Sequence, residues 1–123
     1  MNVALWIVQG LLAAVFLMAG AMKILKPKDE AMERMPFVED FSEPALKTIG
    51  ALEVAGAIGL ILPGITGIAP VLVPLAATGL AMIQAGAVVV HVRRSEAREI
   101  AMNVVLFALS VFVAWGRFGD YSL

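Results

Sequence analysis

The chain has 123 residues, 61% of them hydrophobic and 15% charged, with a formal net charge of −1 and a mean hydropathy of +0.93. A soluble domain carries about a quarter charged residues, so this composition points to a membrane protein. The absence of cysteine excludes disulfides, thiolate metal sites and CxxC redox chemistry. No basic stretch suggests nucleic acid, and a single histidine argues against a metal site built from protein ligands alone.

In chain order, the first apolar run covers 3–25, 23 residues long and about 34 Å as a helix, enough to cross a hydrocarbon core of ~30 Å. It lacks a basic leader and is too long for a typical signal peptide, so it reads as a retained span. Lys26-Pro27-Lys28 ends it. Residues 26–43 are polar, with Pro36 and Pro44 as punctuation and with Phe37, Val38 and Phe41 suited to a short interfacial helix. The second span is 45–62, with Pro44 at its start and Pro63-Gly64 as its stop. The third, 68–91, opens after Gly67 and carries Pro70 and Pro74 in its first turns, where a kink or loose start is expected. A short polar loop, 92–96, follows, with Ser95 as the expected N-cap of a fourth span, 97–116. The predicted fold is all-α: a single-domain integral membrane bundle of four antiparallel helices.

An even number of spans places both termini on one side. The side with the two polar loops carries Lys23, Lys26, Lys28, Arg34, Lys47, Arg93, Arg94 and Arg98, and the other side only Arg117. Eight against one predicts cytoplasmic loops in a cell (inner) membrane, with both termini outside. Trp6 and Trp115 then fall together at the outer interface.

Glu53 stands in the middle of the second span, with no other charged residue between Lys47 and Arg93. A carboxylate at that depth is costly, so such residues face a bundle interior and mark functional sites. The other polar residues of the spans align with it. At 3.6 residues per turn, Gln9, Phe16 and Lys23 share one face of the first span, with Gly20. Leu46, Gly50, Glu53, Ala57 and Leu60 share a face of the second. Gln84 and His91 share one on the third, with Ala77, Ala81 and Val88. Asn103, Ser110 and Arg117 share one on the fourth, with Phe107 between. Scattered polar positions would leave some facing lipid, so the four stripes are expected to converge on one seam. Within its loop-side half, Lys23, Glu53, Gln84, His91 and Asn103 form the candidate ligand-binding set. Helix rise places the Lys23 Cα ~10 Å above that of Glu53, so direct pairing demands a tilt or a bridging water. Each member also has a plainer reading: Lys23 snorkelling to headgroups, His91 capping a span, Gln84 and Asn103 bonding helix to helix.

The ending AGAMKILKP of the first span, IGALEVAGAIGLILPGI through the second, AGAVVVHVRRSE closing the third, and Asn103 early in the fourth together resemble the DoxX-like family of small bacterial membrane proteins. The family pattern matches Lys23, Glu53, His91 and Asn103. The resemblance implies a place near membrane redox systems, since some relatives are subunits of a thiosulfate:quinone oxidoreductase and others associate with redox enzymes.

Three functional classes compete. The first is a module that binds a lipophilic molecule of quinone or isoprenoid type, or a lipid, in the polar seam, or serves as accessory subunit of a membrane redox system. The second is a structural membrane partner or homo-oligomer whose seam only specifies packing. The third is an intramembrane enzyme in which Glu53 acts as general acid or base with His91 as its partner; no nucleophile motif, phosphate loop or cofactor fingerprint accompanies these two candidates. The order of preference is as given.

Overall fold

The computed structural model describes residues 1–26 and 41–123, which form four helices: α1 (Asn2–Leu25), α2 (Glu43–Thr66), α3 (Leu72–Arg93) and α4 (Ala97–Phe118). The interfacial helix expected around Phe37 and Val38 lies outside the described residues. All four helices are long and apolar enough to cross a membrane. The hairpin pairs α1–α2 and α3–α4 pack most extensively, and α2–α3 and α1–α4 contacts close the ring. The chain is therefore an all-α membrane four-helix bundle.

The distribution of side chains follows from the solvent. Leu12, Phe16, Ala57, Leu60, Ala77, Leu80 and Val113 form an apolar layer across the middle of the bundle. Large apolar residues such as Ile7, Leu11, Met18, Ile58, Met82 and Val105 face outward. In water so much exposed apolar surface would drive association; in a bilayer it meets lipid chains. Hydroxyl groups in the spans satisfy themselves locally. Thr48, Thr66, Thr78 and Ser110 each donate to a carbonyl four residues back, at 2.8 Å, so none needs a partner on another helix.

The helix ends depart from the sequence reading in three places. Ser42 caps α2, its Oγ accepting from the Ala45 N–H at 3.3 Å, with Pro44 in the first turn. However, α2 does not stop at Leu62. It runs through Pro63 to Thr66, and Gly67, in the left-handed region at φ 74°, closes it by donating to the Pro63 carbonyl. One proline removes one helical bond, and the surrounding turns hold the axis. Next, α3 begins at Leu72 rather than 68. Ala69 (φ 48°) and Pro70 sit in a turn whose carbonyls accept from the Leu72 and Val73 N–H groups. Pro70 and Pro74 thus lie before and within the first turn, where a missing N–H costs least. Finally, Ser95 is not the N-cap of α4. It takes φ 57° in the tight α3–α4 turn, and Glu96 occupies the cap position without a side-chain capping bond.

The approach of α1 to α2 positions the interior charges. A Cβ on Gly20 would lie 2.6 Å from the Gly50 carbonyl oxygen, and one on Gly50 would lie 2.8 Å from both the Gly20 oxygen and the Lys23 Cβ. The two backbones touch there, which only glycine permits. This contact also fixes the register: Lys23 is level with Gly50, three residues and about 4.5 Å of rise from Glu53. The ~10 Å offset expected from span limits was too large, because the helices are displaced along each other from an end-to-end alignment.

Candidate site in the loop-end half of the bundle

Among the described residues, eight polar or charged side chains are buried: Gln9, Lys23, Glu53, Gln84, His91, Asn103, Ser110 and Arg117. Every stripe residue singled out as polar therefore faces inward. The apolar neighbours depart from the expected stripes. Phe107 turns outward and is 39% exposed, while Leu106, three residues on from Asn103, packs against the core in its place.

Along the helices the apolar layer divides these groups into two clusters. Towards the loops, Lys23, Glu53, Gln84, His91 and Asn103 all line one cavity of about 740 Å³. Its walls include Val15, Phe16, Met82, Ile83, Val90 and Leu106, and Phe41, Glu96, Arg98 and Glu99 line it from the loop end. The five residues proposed from sequence thus surround one space, and each helix contributes at least one.

The Lys23 ammonium donates directly to Glu53 Oε1, forming an ion pair with both side chains under 10% exposed. Neither tilt nor bridging water is needed, because the glycine contact shortens the reach. A pair of this kind reduces the cost of burying each charge, while its desolvation offsets much of the attraction.

His91 is buried at the α3 end and directs Nδ1 to Glu96 Oε1 at 2.9 Å. Arg94 Nε donates to the same oxygen at 3.2 Å. Glu96 was not foreseen as a site residue. The local signal was present, since a five-residue step across a tight turn brings it back over His91. Among the described residues, His91 has a partner in Glu96.

Asn103 donates Nδ2 to the Glu99 carbonyl at 2.8 Å, within its own helix. Gln84 is different. Its Oε1 is buried and has no hydrogen-bond partner, an arrangement that costs roughly 1–3 kcal/mol when nothing fills it. The cavity therefore combines an apolar shaft, an ion pair at its inner end and an unsatisfied acceptor in its wall. Chemically it can seat the polar head of an amphipathic molecule whose tail lies among aliphatic side chains.

At the terminus-bearing end, Gln9 and Arg117 form the second cluster. Arg117 Nε donates to Gln9 Oε1 at 2.7 Å, and Gln9 Nε2 donates to the Leu60 carbonyl at 2.7 Å. The sequence had placed both residues on inward stripes without joining them.

The model of the DoxX-like family matches residues 7–113 of this chain, and the protein belongs to that family. No curated protein and no solved structure is detectably similar to it.

Proposed function

We propose that this DoxX-like membrane protein binds a lipophilic small molecule of the quinone or isoprenoid type, its polar head in the loop-end cavity. The carrying observation is the buried, partnerless Gln84 Oε1 in a cavity that also holds the Lys23–Glu53 pair. A group that only stabilised packing would be expected to have its acceptor satisfied by a neighbouring helix. A ligand hydroxyl or N–H would satisfy it. Lys23, Glu53, Gln84, His91 and Asn103 line the site, and the ligand-bearing protein acts as carrier or accessory subunit in a membrane redox system.

The loop end is cytoplasmic in this reading, and the membrane is the bacterial inner membrane, because eight of the nine lysines and arginines lie at that end. The cavity is then reached from the cytoplasmic leaflet.

The test is mass spectrometry of lipids extracted from purified wild type and Gln84→Leu, each checked for helicity. Leucine keeps the volume and removes the acceptor. A co-purifying prenyl or quinone-type species that falls in the variant supports the reading. The same extract from both, or no bound lipophile in wild type, removes it.

A further inference from the structure

Arg117 is buried to 2% exposure at the end of α4, and every polar partner it has among the described residues is neutral. Nε bonds Gln9 Oε1, Nη1 bonds Asn2 Oδ1 at 2.7 Å and the Tyr121 carbonyl at 2.8 Å, and the guanidinium lies 5.4 Å from the Trp6 ring centroid. Nη2 has no hydrogen-bond partner. The nearest acid in sequence, Asp120, is exposed and makes no ion pair with it. The other described acidic residues, Glu43, Glu53, Glu96 and Glu99, lie in the middle or at the loop end of the bundle. A buried guanidinium without a counter-charge is expensive, and none of the described residues supplies one, which points to an external anion.

Position and shape identify its chemistry. Arg117 closes a membrane-spanning helix, beside Trp6 and two residues from Trp115, at the level where an aromatic belt meets lipid headgroups. A guanidinium already held at Nε and Nη1 presents Nη2 as a fixed donor, suited to a tetrahedral phosphate oxygen. Its cover is thin: the Tyr121 carbonyl belongs to the exposed turn 119–123, held by three backbone bonds, Gly119 N–H to Trp115, Tyr121 N–H to Gly116 and Ser122 N–H to Gly119. We propose that Arg117, with Gln9 and Asn2, forms a phosphate-binding site at the terminus-bearing face, occupied by a phospholipid headgroup that supplies the missing charge. This site is separate from the loop-end cavity and does not depend on the reading given for it.

The experiment measures the thermal unfolding temperature of the full chain in a neutral detergent, titrated with dioleoylphosphatidylglycerol, dioleoylglycerol or inorganic phosphate. Wild type is expected to show a saturable upward shift with the phospholipid and none with dioleoylglycerol, which lacks the phosphate. Apparent affinity is expected to fall roughly tenfold or more in Arg117→Gln, as loss of a charged hydrogen bond implies. Asn2→Asp guards against a variant that fails to fold: its carboxylate replaces Oδ1 beside Nη1, provides the counter-charge internally, and is expected to raise the lipid-free unfolding temperature while shrinking the shift. An equal shift with inorganic phosphate assigns the site to the free anion. A shift as large with dioleoylglycerol, no shift in wild type, or an undiminished shift in both variants overturns the site.

Discussion

Lys23 of α1 and Glu53 of α2 form a buried ion pair at the point where Gly20 and Gly50 bring the two helix backbones into contact. The two features depend on each other. The glycines bring a lysine within reach of a carboxylate near the middle of the neighbouring helix. The pair in turn makes close, otherwise side-chain-free packing specific to one register, a use of buried polar groups that packing alone does not provide.

Glu53→Gln is expected to cost roughly 3–5 kcal/mol, because it removes the buried carboxylate to which the Lys23 ammonium donates. The double variant Lys23→Met/Glu53→Gln is expected to recover much of that loss, since both members of the pair are then removed together. Chemical or thermal unfolding in detergent of the two single variants and the double variant measures the coupling. Additive losses would show that the two side chains contribute independently.

Gly50→Ala tests the backbone contact itself. The added Cβ would sit 2.8 Å from the Gly20 oxygen and the Lys23 Cβ, so α1 and α2 have to separate. The expected penalty is about 1–3 kcal/mol, typical of overpacking. Gly10→Ala, where an added Cβ meets nothing within 4 Å, serves as the control and is expected to leave stability unchanged or slightly raised.

The fold and the inward set of polar residues were legible because a bilayer makes both rules strict. A run of about 20 apolar residues has to be helical, and a polar side chain has to turn away from lipid. What the sequence left hidden depends on register and turns. The Lys23–Glu53 contact required the 20–50 crossing, which glycines on two helices suggest but do not align. Pro63 reads as a stop and is accommodated inside α2, since a helix surrounded by lipid loses more by ending early than by omitting one bond. Ser95 has the chemistry of a cap, yet the tight α3–α4 turn places it at positive φ and moves the cap to Glu96. Gln9 and Arg117 lie 108 positions apart, and only the closing of the ring by α1 and α4 joins them.

Glu96→Ala is expected to loosen the α3–α4 turn, because one carboxylate oxygen accepts from Arg94 and pairs with His91. Hydrogen–deuterium exchange should rise in peptides covering 91–99 while the middle of α2 stays protected. A global stability loss of about 1–3 kcal/mol accompanies the unsatisfied His91 nitrogen. Unchanged exchange across the turn would mean that its backbone bonds, such as Glu96 N–H to the His91 carbonyl at 3.0 Å, hold it unaided.

The orientation is testable without perturbing the interior, because the chain contains no cysteine and each introduced thiol reports a single position. Ser42 lies at the loop end just before α2, and Ser122 lies beyond α4; both are exposed. The proposed cytoplasmic placement of the loop end rests on its excess of lysine and arginine. The eight acidic residues at or beside these loops balance the net charge there, but carboxylates have little influence on insertion, so the prediction follows the lysines and arginines alone. In intact cells, a membrane-impermeant maleimide is expected to label Ser122→Cys and to leave Ser42→Cys unreacted until the membrane is permeabilised. Labelling of Ser42→Cys alone in intact cells would reverse the bundle and open the Glu53 cavity to the outer side. Arg117 would then face the cytoplasmic leaflet, and the phosphate-binding proposal would have to be tested with lipids of that leaflet.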